Sequence, residues 1–441
     1  MSSHLTAGAS TIDISPVDSQ FLWGYPHVER MSKGIHDPLL SGALYLSNGE
    51  CQVIFITNDI IIIPNDLVAR ARDRIQKATG VPAGNIMITG THTHSGPMTK
   101  DYISNEADPV VPPTDPKYVQ LFEDGIVAAA QGAFDSAVPA ELGLAVAEAK
   151  GVGTNRRDPS GPADPAVPVM LVRNAETKAS IACMMLYSMH PTVLHEDNEL
   201  VSGDFPAMCR QYLQQAEILG PDCPVLYHTG PEGNQSPRHV VNGQTFEEAQ
   251  RLGSLLGQAV QAVLPTIQFS SDISLSAQQG FVELPRKQFP DVEQAEANLK
   301  AVVEKLARQR SDGTDRATVR TTECDWFGAE EVVVLAKAQQ EGRLDVVAST
   351  VMPAEIQILS VGQWKFVGWP GELFIEYALA LKAKSPNTFI ANLANGDLQG
   401  YLVTAEAAAE GGYEASNAMF SHESGQILVD KTLDMIKTIQ D

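Results

Sequence analysis

The chain has 441 residues, with 31 Lys and Arg against 54 Asp and Glu, for a formal net charge of −23. That acidic balance argues against a nucleic-acid partner and against an anionic membrane surface, since both call for basic patches. Hydrophobic residues make up 44% of the chain, enough for a large core and too many for wholesale disorder.

Residues 7–15 end in the alternation of an early strand, and an aromatic loop, Leu22-Trp23-Gly24-Tyr25-Pro26-His27, follows. His36 and Asp37 read equally as site residues or as a turn. Residues 43–46 and 53–56 form a hairpin around Asn48-Gly49. Asp59, just beyond it, suits a metal site or a solvated loop. Asn65 reads as the N-cap of a helix over 66–77. The apolar run Ile86-Met87-Ile88 is a short buried strand that stops at Gly90-Thr91-His92-Thr93-His94-Ser95-Gly96-Pro97. In an extended segment residues two apart point the same way, so His92 and His94 can face one cleft at the end of a sheet.

Residues 101–116 are too rich in proline for regular structure. A helix over 118–136 and a strand over 141–147 come next, then a loop with Asn155-Arg156-Arg157. Residues 167–172 and 181–187 read as adjacent strands, and the second delivers His190 at its end. Asp204 in Ser202-Gly203-Asp204 is a plausible N-cap. A strand at 225–228 leads into a Gly-rich turn that presents Ser236. Residues 246–263 are helical. Two charged, Ala-rich helical patterns, 292–308 and 329–340, form a peripheral insertion over about 290–345. The chain returns to strands at 356–361, 365–367 and 389–393, with a helix expected to begin at Trp369-Pro370-Gly371-Glu372, and it closes on a helix over 423–439. Alternating strands and helices with no internal repeat indicate a single α/β domain, 1–441, of mixed sheets flanked by helices.

Three apolar strands are each followed by a metal-suited group: His92, His190 and Glu372. Two imidazoles and one carboxylate with an open position describe a hydrolytic Zn2+ site. Around them the chain resembles the neutral, non-lysosomal ceramidase family. The resemblance rests on Gly90 through Pro97, His190-Pro191 with Ser202-Gly203-Asp204, Ser236-Pro237, Pro370-Gly371-Glu372, and Gly400-Tyr401 through Tyr413-Glu414-Ala415-Ser416. It implies that His92, His190, Glu372 and Tyr401 hold zinc, that His94, Arg156 and Tyr413 line the reacting amide, and that Ser236 is the active-site serine. The implied chemistry is hydrolysis of an N-acyl bond by an amidase with stabilisation of the oxyanion.

Departures from the family modify that expectation. Met98-Thr99-Lys100 replaces its Gly-rich loop, and Gly233-Asn234-Gln235 precedes the serine. No greasy segment stands out for long acyl chains. No secretion signal and no C-terminal immunoglobulin-like domain are evident, and the most apolar run, 53–63, is too short to cross a bilayer. Five scattered cysteines, Cys51, Cys183, Cys209, Cys223 and Cys324, suggest neither a disulfide framework nor a metal pairing. The expectation is therefore a cytoplasmic enzyme acting on a small, polar molecule, without a membrane partner. The alternatives are a zinc-dependent lyase acting on a sugar acid, with Tyr413 or His94 as acid or base, and a non-catalytic metal-binding or ligand-binding protein.

Overall fold

A computed structural model describes residues 5–215 and 219–440. Eight strands form the first sheet: β1 (Thr6–Asp13), β2 (Leu40–Ser47), β3 (Gln52–Asn58), β4 (Ile86–Gly90), β5 (Val138–Glu148), β6 (Ala166–Asn174), β7 (Ser180–Tyr187) and β8 (Val225–Thr229). Their order is β8-β7-β6-β5-β1-β2-β3-β4. The outermost pair at each end is parallel, and the pairs between are antiparallel. A second sheet takes β9 (Leu275–Val282), β10 (Ala354–Val361), β11 (Trp364–Gly368) and β12 (Thr388–Ala391) in that order. The hairpin expected between β2 and β3 is present. Asn48 Oδ1 accepts from the Glu50 and Cys51 N–H groups at 3.1 and 2.9 Å, which closes the turn.

Strands β3, β4 and β7 read as near-continuous apolar runs because both of their faces are buried. Leu44, Leu46 and Phe55 face the second sheet, meeting Leu359, Val361 and Phe366. The Phe55 and Phe366 rings meet edge to face, with centroids 5.3 Å apart. Ala43, Tyr45, Ile54 and Ile56 face helices α1 (Asn65–Thr79) and α2 (Pro116–Asp135). Helices α3 (Asp204–Gln214) and α4 (Phe246–Val263) cover the other half of that face. The outer face of the second sheet packs under α6 (Arg316–Gln340), α8 (Ile375–Lys384) and α11 (Ser424–Gln440), with α5 (Val292–Ser311) and α7 (Arg343–Ser349) alongside. The result is four layers, helix-sheet-sheet-helix, and a mixed α/β architecture as expected. Each large side chain buried in these interfaces contributes roughly 1.5–3 kcal/mol.

Three local expectations change. Helix α1 starts at Asn65 with Pro64 at its N-cap, and the Asn65 carboxamide accepts from the Asp397 N–H instead. Asp204 is the first residue of α3 rather than its cap, in a left-handed backbone at φ +56°. Its carboxylate reaches the Leu194 and Phe205 N–H groups. Glu372 does not start a helix: Glu372–Leu373 pairs in parallel with Tyr401–Leu402, and α8 begins only at Ile375. The partner strand claims the main chain that would otherwise have opened the helix. Among the described residues, no helix is long and apolar enough to cross a membrane.

Candidate metal centre and catalytic site

Strands β4, β7, β8 and β11 each end at one rim of the molecule, the carboxyl end where α/β sheets place ligands. Gly90 ends β4 because a Cβ there would lie 2.9 Å from the Ile60 carbonyl. The chain then turns through His92, held at φ +69°, a conformation uncommon outside glycine. Its ring is buried and its Nδ1 lies 2.8 Å from the Ile61 carbonyl. His190, past β7, is likewise buried, with Nδ1 2.7 Å from the Glu232 carbonyl and 3.0 Å from that of Gln235.

A carbonyl can only accept, so both Nδ1 atoms carry a proton, and in the neutral rings both Nε2 atoms present a lone pair inward. Each Nε2 faces the same carboxylate oxygen, Glu372 Oε2, at 3.3 Å from His92 and 3.1 Å from His190. Lone pair against carboxylate is repulsive unless a proton or a cation lies between. Burial lowers the His92 pKa, but the Glu372 charge outweighs it and raises the group to about 9. Burial and the Arg156 charge push His190 down to about 4. One proton therefore serves two imidazoles, whereas a divalent cation satisfies both nitrogens and the carboxylate together. The residues fit a metal ion, with main-chain carbonyls orienting the ligands from behind.

Two further groups reach this point. Glu232, after β8, is fully buried, and its ligand atom lies with those of His92, His190 and Glu372 within 4.8 Å of one another. His94 forms a second such group with His92 and His190. Its Nδ1 meets the Gly24 carbonyl at 3.1 Å, which leaves Nε2 as a bare acceptor with no partner among the described residues. Burial first, then the two neighbouring histidines, hold its pKa well below the ordinary value. Gly24, at φ +120°, permits this approach, since a Cβ there would sit 2.4 Å from His94 Nδ1.

Arg156 stands beside the cluster, its Nη1 3.4 Å from His190 Nε2. Glu414 fixes it through Nε at 2.8 Å and holds Arg157 at 2.9 Å. The Arg156 guanidinium lies 5.2 Å from the centroid of the Tyr401 ring, and the Tyr413 ring lies 5.9 Å from that of Tyr401. Burial raises both phenols well above the usual tyrosine range, so they keep their protons. Tyr401 is the strand partner of Glu372. Tyr413 opens the short helix α10 (Tyr413–Asn417). Ser236 joins the cluster through the main chain: it pairs with Thr154 in the Gln235–Ser236 bridge, and its neighbour Gln235 binds His190. The Ser236 hydroxyl oxygen accepts from the Arg238 N–H at 3.2 Å.

Residues 5–218 match the model of the neutral/alkaline non-lysosomal ceramidase N-terminal region. That match spans just under half of the chain. The chain is 24% identical over 255 residues to the neutral ceramidase of Mycobacterium tuberculosis (strain ATCC 25618 / H37Rv). That alignment takes in 51% of this chain and 39% of the relative, well under two thirds of the relative's length. Among solved structures, the neutral ceramidase of Pseudomonas aeruginosa superposes with a TM-score of 0.76 at 18% identity, over 98% of this chain and 74% of the other. A ceramidase complexed with C2 gives 0.74 at 16% identity, over 99% and 75%. At those identities the likeness establishes the fold. The ceramidase family match contains His92, His94, Arg156 and His190, while Ser236, Glu372, Tyr401 and Tyr413 lie beyond it in the shared fold.

Other sequence candidates fall outside the cluster. His36 stacks on Phe246 and pairs with Asp37. Asp37 caps the Ser202-Gly203 turn, and Asp59 pairs with Arg210, so both carboxylates brace the histidine loops. Glu232 was not singled out by sequence reasoning. Its one signal is a glutamate between Pro231 and Gly233 shortly after a fully buried strand.

Proposed function

We propose that the chain is a metal-dependent hydrolase of N-acyl amides, with zinc as the ion and His92, His190, Glu372 and Tyr401 as the residues that hold it. The observation that carries this reading is the pair of inward Nε2 lone pairs converging on Glu372 beside a buried guanidinium and two protonated phenols. When bound, zinc supplies Lewis acidity to a substrate carbonyl and to a nucleophilic water. The chain's own groups do the rest. His94 Nε2 accepts the proton of the attacking water and returns it to the leaving amine. Tyr413 and Arg156 donate to the oxygen on which negative charge develops. Ser236 positions the substrate.

The similar proteins are named ceramidases. The proposed substrate is accordingly a lipid amide of the ceramide type, and the small polar substrate expected from the sequence finds no support among them. The five free cysteines suit a reducing, cytoplasmic setting.

The test pairs metal analysis with release of fatty acid from N-acyl sphingoid lipids of short and long chain. His92→Ala should lose both metal and activity. Tyr413→Phe should keep the metal while kcat falls about 10²–10³-fold, the cost of one oxyanion donor. A zinc-loaded wild type that releases no acid from any N-acyl lipid amide refutes the proposal.

A further inference from the structure

The Gly-rich turn after β8 supplies more than a serine. Glu232 contributes its carbonyl to orient His190, at 2.7 Å from Nδ1. Its side chain turns the opposite way, into the cluster. Asn392 Nδ2 donates to Glu232 Oε2 at 2.9 Å and fixes the carboxylate plane. Oε1 is buried and has no hydrogen-bond partner among the described residues. A buried carboxylate oxygen left bare is unfavourable unless a proton or a cation meets it. The carboxylate lies within 4.8 Å of the ligand atoms of His92, His190 and Glu372. Asn392 is itself held by the Thr229 carbonyl at 2.8 Å, so Glu232 stands on a rigid support.

We infer that Glu232 is a further ligand of the same divalent cation, making the donor set two imidazoles and two carboxylates. This rests on the metal-centre reading above and deepens it. Two carboxylates neutralise a divalent ion fully, whereas Glu372 alone leaves one positive charge.

The probe is zinc alone, added to the chelator-stripped full chain. Glu232→Gln keeps the volume and removes the charge. Its zinc dissociation constant should rise at least tenfold, the lower end of what even outer-shell partners of a metal contribute. Tyr401→Phe should change it less. The Co2+-loaded Glu232→Gln protein should show an altered visible absorption, which a merely structural role would not produce. Without metal, Glu232→Gln should melt no lower than wild type, because a buried acidic group is replaced by a neutral one of the same size, while its gain in Tm on adding zinc shrinks. Zinc binding and a Co2+ spectrum identical to wild type overturn the inference, as does an equal loss of stability with and without metal. A wild type that takes up no zinc overturns the centre itself, and this inference with it.

Discussion

His92 and His190 are aligned by peptide carbonyls, which cannot titrate and cannot rotate away. The acidic groups around them behave differently. Glu331, on α6, accepts a hydrogen bond from Asn417 next to Tyr413. Burial first, then the charges of Glu330, Asp108 and Glu372, raise its pKa to about 8. In the unfolded chain it titrates near 4.3. The folded state therefore binds the extra proton, and this contribution to stability is full below about pH 4.3 and lost as pH rises through about 8. Glu331→Gln can still accept from Asn417 and should remove the slope. Its denaturation midpoint relative to wild type should climb between pH 5 and pH 8, and a pH-independent difference contradicts the assignment.

Helices α3 and α4 meet through Gly253. A Cβ at that position would lie 2.6 Å from Met208 Cβ and from the Phe205 carbonyl, and 2.7 Å from the Cys209 nitrogen. Two of these are backbone atoms of α3, so the helices must separate. Gly253→Ala should cost about 1–3 kcal/mol in urea unfolding despite alanine's better helix propensity. The same helix carries Arg210, whose Nη1 meets Asp59 at 2.8 Å, next to the Ile60 and Ile61 carbonyls that hold His92. Element boundaries show what pattern reading can reach. α6 was expected over 329–340 and runs from Arg316. Its first half is polar and faces charged neighbours, with Asp315 capping the Thr318 N–H at 3.0 Å. The cap was present in the sequence, but no apolar stripe marked the turns it opens.

At the scale of the whole molecule, the centre draws on both sheets. His92, His190 and Glu232 follow strands of the first, while Glu372 follows β11 of the second and Tyr401 pairs with it. A bound ion therefore ties the two sheets together. Zinc at a hundred times its dissociation constant should add about 2.7 kcal/mol to stability. Hydrogen exchange should slow at the ends of β4, β7 and β11 alike, and protection confined to the first sheet would contradict the coupling. His92, His190 and Glu372 were legible in the sequence because each ends or closely follows an apolar strand. The stacking of the sheets was not, since a strand apolar on both faces does not say what covers either. Glu232 was hidden by its setting among turn residues.

The helical segment that joins β9 to β10 lies against the candidate site: α6 packs on α10, which begins with Tyr413. Its Trp326 ring lies parallel to the His27 ring, centroids 4.8 Å apart. The chain holds four tryptophans. Trp364 and Trp369 are buried beside the second sheet, and Trp23 packs edge-on against Tyr102. An imidazole stacked on an indole can quench its emission, so displacing α6 from His27 should change the fluorescence of Trp326. The stacked pair thus offers a native optical reporter of how α6 sits against the candidate centre, readable with no label attached.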